Sequence, residues 1–75
     1  MVTYEVRPGG PIEFSVAVDG FGPVTITSRR PTIFNGRLTN RPVLQEALRQ
    51  VEAFVDQHRD ELAPLYAAIA APSAA

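Results

Sequence analysis

His58 is the only histidine in the chain, and it stands beside three acids, Asp56, Asp60 and Glu61. An imidazole titrates near neutral pH, so the grouping suggests two chemistries: a general base steered by Glu61 one helical turn on, or a metal ligand. The rest of the inventory is thin. No HExxH or ExxH spacing exists, cysteine and lysine are absent, and serine occurs only at Ser15, Ser28 and Ser73. Disulfides, thiolate zinc sites and cysteine nucleophiles are thereby excluded. His58 also shares an apolar helical stripe with Val55 and Leu62, where a histidine packs by its ring and keeps one nitrogen wet. The acids, with Arg59, read as a solvated helix face carrying a weak Asp56 to Arg59 pair. Gly9, Gly10, Gly20 and Gly22 fall in turns between strands, whereas a phosphate-binding loop stands between a strand and a helix. The expectation is no catalytic residue, no cofactor and no metal.

Residues 29–41 carry Arg29, Arg30, Arg37 and Arg41 and no acid. Thirteen residues make a long connection for so short a chain. Asn35 and Gly36, flanked by residues 32–34 and 37–39, predict the two-residue turn of a small β-ribbon. Such a ribbon, with its arginines and Phe34, suits an acidic protein surface, a nucleic-acid groove or base stacking. The plainer alternative is a lid, in which Ile33, Phe34 and Leu38 close the core while the arginines stay solvated. The expected partner-binding residues are Arg29, Arg30, Ile33, Phe34, Arg37 and Arg41.

Strands must position this segment. Val2, Tyr4 and Val6 alternate with polar residues, and so do Ile12, Phe14, Val16 and Val18, and Val24 and Ile26 within residues 24–28. A period of two with short Gly/Pro turns predicts an antiparallel meander of three to five strands, wet on the face of Thr3, Glu5, Glu13, Ser15, Thr25 and Thr27. From Pro42 the period becomes helical: Leu44, Leu48, Val51, Val55, His58, Leu62, Leu65 and Ile69 recur at steps of four and three, widened by Ala47, Phe54 and Tyr66. Thr39 and Asn40 are capping candidates and Pro42 suits a first turn. Pro64 predicts a kink or break at that point. The fold class is therefore α+β, a meander followed by one long amphipathic helix on one sheet face. The first half of that helix packs on the sheet, with Leu44, Leu48, Val51 and Val55 as its core residues.

As one helix, residues 42–70 would run about 43 Å at about 1.5 Å per residue, against about 20 to 23 Å for the strands. The overhang of Leu62, Leu65, Tyr66 and Ile69 needs cover from a bend, from residues 29–41 or from a second chain, which makes these four a candidate dimer interface. Residues 71–75 are expected to be a disordered tail after a single domain over residues 1–70.

Seventy-five residues, 45% hydrophobic and 20% charged, describe a small globular protein. The net charge of −1 is uneven: residues 1–41 hold five arginines against three acids, net +2, and the remainder two against five, net −3. With no signal-like or membrane-length apolar run, cytoplasmic residence is the default. The function expected is that of a non-enzymatic protein-binding module acting stoichiometrically, as inhibitor, adaptor or small subunit. Phage-encoded inhibitors of bacterial defence systems fit that profile by analogy only. An acidic protein is the expected partner. Nucleic-acid binding through residues 29–41 is the alternative, opposed by a pI near 5.7, and a small enzyme or metabolite binder comes third.

Overall fold

The computed structural model describes residues 2–37 and 39–70. The expectations for Leu38, Ser73 and the tail at 71–75 lie outside the described residues. Four strands, β1 (Val2–Val6), β2 (Ile12–Val18), β3 (Gly22–Arg30) and β4 (Ile33–Gly36), form one antiparallel sheet in the order β1-β2-β3-β4. Two helices follow, α1 (Arg41–Gln57) and α2 (Arg59–Ala70). The fold is α+β, as the two periods require. The first turn shows how the chain reverses: Gly10 N–H donates to the Arg7 carbonyl across Pro8 and Gly9, and Gly9 takes φ +69°, open to glycine at no steric cost.

Ile12, Phe14, Val16, Val24 and Ile26 are buried, aligned by the pairings Phe14 with Ile26 and Val16 with Val24. The helical side of the core centres on Ala47, Val51 and Val55, with Leu44, Leu48 and Phe54 half-buried around them. The stripe is thus rotated from the expected one, because small Ala47 lets the helix backbone approach the sheet. Val2, Tyr4 and Val18 are only partly buried, and Val6 is 40% exposed. Val6 ends an edge strand, whereas the helices lie chiefly over β2 and β3.

Asn40 caps α1, its side-chain oxygen accepting from Val43 N–H at 3.3 Å, with Pro42 in the first turn. The single long helix is corrected to two, and the break lies at His58 rather than at Pro64. His58 leaves helical geometry (φ −114°, ψ 29°), and its carbonyl accepts from Leu62 N–H at 2.9 Å to start α2. Pro64 sits inside α2. The carbonyl it cannot serve belongs to Asp60, and both residues are exposed, so water meets the deficit. Redirected at His58, α2 returns to β3 and buries Leu62 and Tyr66 in the core, with Leu65 and Ile69 half-buried against it.

The expected ribbon turn is also corrected. Asn35 and Gly36 belong to β4, and the turn falls at Pro31 and Thr32. Gly36 pairs with Ile26, where an added Cβ would stand 2.6 Å from Ile26 Cδ1 and 2.7 Å from Leu44 Cδ1. The glycine is required by close packing of α1 on the strand, not by a turn.

Candidate functional site

Two features meet at the β3–β4 hairpin: Arg29 and Arg30 at its tip, with Arg37 just past β4, and a groove between the hairpin and the two helices. The hairpin is built on a buried polar knot. A register shift between Thr27 and Arg30 leaves Ser28 and Arg29 opposite Phe34, and Ser28 turns inward, 1% exposed. Its hydroxyl proton is shared between the carbonyls of Arg30 (2.6 Å) and Ile33 (2.9 Å), and its oxygen accepts from the Tyr66 hydroxyl at 2.9 Å. One side chain thus ties both sides of the turn to α2. Burial pushes the Tyr66 hydroxyl's pKa up, with the bond to Ser28 pulling the other way.

Arg29, Arg30, Arg37 and Arg41 are exposed. Among the described residues the ion pairs take other arginines: Arg7 with Glu13, Arg49 with Glu46 and Arg59 with Asp56, at 2.6 to 2.7 Å. Hydrogen bonds from Arg49 and Gln50 hold the Glu46 carboxyl down to about 2. Arg29, Arg30, Arg37 and Arg41 have no such carboxylate among the described residues. Arg29 and Arg30 stand at the hairpin tip beside Ile33, which is 49% exposed. Arg37 follows β4, which stops opposite Ile26, so Pro23, Val24 and Thr25 line a notch of about 750 Å³ with Arg37 on its wall. Arg41 opens α1, a helix with no acid in its first turn and no base in its last. Of the six expected partner residues, Arg29, Arg30 and Ile33 share the hairpin tip, Arg37 follows the far end of β4, Arg41 opens α1, and Phe34 is half-buried against the core.

The groove holds about 480 Å³. Phe34, Val55, Leu62 and Tyr66 give it an apolar floor, Pro31 and Thr32 form one lip, and Glu52, Asp56 and Arg59 form the other. Asp56 occupies Arg59, which leaves Glu52 as the uncompensated rim charge among the described residues. Sequence reasoning missed this groove and the role of Ser28. The inward period of Val24 and Ile26 extends to Ser28 and was a usable signal; nothing local marked Glu52.

Of the four residues expected at a dimer interface, Leu62 and Tyr66 are consumed by the chain's own core, and Leu65 and Ile69 pack at its margin. His58 stacks on Phe54 with ring centroids 4.1 Å apart, and its Nδ1 lies 2.9 Å from the Phe54 carbonyl. A carbonyl only accepts, so Nδ1 carries the proton and is spent on the backbone. Glu61 is engaged elsewhere, accepting from the Tyr4 hydroxyl at 2.9 Å, which together with partial burial raises the Tyr4 pKa. Among the described residues no three acids or histidines gather as a metal site, and no helix is long and apolar enough to cross a membrane. No family model, curated protein or solved structure matches the chain.

Proposed function

We propose that this chain is a non-enzymatic binding module that acts stoichiometrically on an acidic protein surface through its β4 edge. The observation that carries the reading is a set of four exposed arginines with no carboxylate partner among the described residues, Arg29, Arg30, Arg37 and Arg41, the first two beside the half-exposed Ile33 at the hairpin tip. Exposed cations steer an acidic partner, and an apolar centre between them supplies affinity that salt does not screen. Arg41 adds support, because a cation in the first turn of a helix opposes the macrodipole and so does nothing for helix stability. Planar guanidinium groups also suit bidentate pairing with carboxylates.

The test is retention of partners by the tagged chain, wild type against Arg30→Glu with Arg37→Glu, at matched melting temperature. A protein held by wild type through a salt wash and a DNA challenge, and lost by the double variant, is expected. Equal retention by both overturns the reading and returns residues 29–41 to the part of a core lid. Nucleic acid released steeply and log-linearly with salt would establish the alternative instead.

A further inference from the structure

We propose that the groove between the hairpin and the helices receives the hairpin tip of a second copy of this chain, Ile33 entering the apolar floor and Arg29 or Arg30 reaching Glu52. The inference rests on the reading that the β4 edge is an interaction surface, and it names one occupant for the tip of that edge. The floor of Phe34, Val55, Leu62 and Tyr66 calls for an apolar plug, and about 480 Å³ has room for a few side chains. Glu52, the rim charge without a partner among the described residues, calls for a cation beside that plug.

The chain presents one such element. Among the described residues its large exposed apolar side chains are Val6, Phe21 and Ile33. Val6 lies between Glu5 and Arg7, whose guanidinium is held by Glu13, and Phe21 follows Asp19 in the β2–β3 turn. Of these three, only Ile33 stands beside arginines with no carboxylate partner among the described residues. Both halves of the contact lie on one molecule, and the tip forms the lip of its own groove through Pro31 and Thr32. Two copies hooked tip into groove therefore bury the same patches reciprocally, as a closed twofold interface requires. A protein partner of the edge must then compete with the second copy for the tip.

Sedimentation equilibrium of the full chain, from micromolar to a few hundred micromolar, tests this with Arg30→Glu and Glu52→Arg, both at exposed positions. Wild type is expected to dimerise, more weakly at high salt. Each variant juxtaposes like charges and should raise the dimer Kd by about tenfold or more. Mixing the two variants should restore a heterodimer, since a glutamate tip meets an arginine rim and an arginine tip meets a glutamate rim. Ile33→Ser should weaken the dimer at every salt concentration. A wild type monomeric throughout, variants that dimerise like wild type, or a mixture that stays monomeric would each overturn the inference. Retention of another protein is a separate measurement and can succeed whether or not the chain dimerises, so the two readings fail separately.

Discussion

The Ser28 hydroxyl has one proton, two carbonyls in reach and a tyrosine hydroxyl donating to it, all at a site 1% exposed. The two ends of its bond to Tyr66 are unequal. Ser28→Ala strands the buried Tyr66 hydroxyl and releases both turn carbonyls, at a cost of about 1 to 3 kcal/mol. Tyr66→Phe leaves the serine its carbonyl acceptors and should cost about 0.5 to 1.5 kcal/mol. Denaturant melts of both single variants and the double are the check. The double should be more stable than Ser28→Ala alone, because removing the tyrosine hydroxyl relieves the buried donor that loss of the serine strands.

At Gly36 α1 packs on the sheet so closely that there is no room for a Cβ. Ile26 is fully enclosed and cannot yield to a new methyl group, while half-buried Leu44 can. Gly36→Ala should therefore destabilise the fold by about 1 to 3 kcal/mol, and Leu44→Val in the same chain should recover part of the loss. Equal melting of Gly36→Ala and wild type would mean that the helix rides higher on the strand than its packing implies. α2 poses the complementary case, since Asp60 and Glu61 in its first turn suit its dipole, whereas α1 carries Arg41 at its start and Asp56 near its end against its own. Arg41 and Asp56 thus weaken the helix at its two ends, and Asp56 lies on the rim of the groove.

For the molecule as a whole, alkaline pH is an unusually clean probe. The sequence contains neither lysine nor cysteine, so between about pH 9 and 12 the titrating side chains are its two tyrosines. Both have raised pKa values, Tyr66 through burial and Tyr4 through its hydrogen bond to Glu61. A raised folded pKa means that the native state holds its proton after the unfolded chain has lost it. The contribution is complete below about pH 10 and is lost as pH climbs through the folded values. Melting temperature should thus fall from pH 9 to pH 11.5, and the fall should shrink in Tyr66→Phe; an unchanged slope would place the loss elsewhere.

The strands were legible because alternation is local: Ile12, Phe14, Val16, Val24 and Ile26 state their burial through neighbours two residues away, and the sheet order follows from turns too short for a crossover. The start of α1 was equally local, written in Asn40 and Pro42. The break at His58 was not, because it is settled by how far α2 must turn to lay Leu62 and Tyr66 on β3, whereas Pro64, the visible breaker, sits where water serves the carbonyl it leaves. Asn35 and Gly36 carried the local signature of a turn, yet Leu44 pressing on the strand decided their conformation. The arginines of residues 29–41 could be named as a group from the sequence, but their division between the hairpin tip, the far end of β4 and the start of α1 could not. Tyr66 and Ser28, 38 positions apart, and the groove above them exist only once three elements converge, so no period along the chain could announce them.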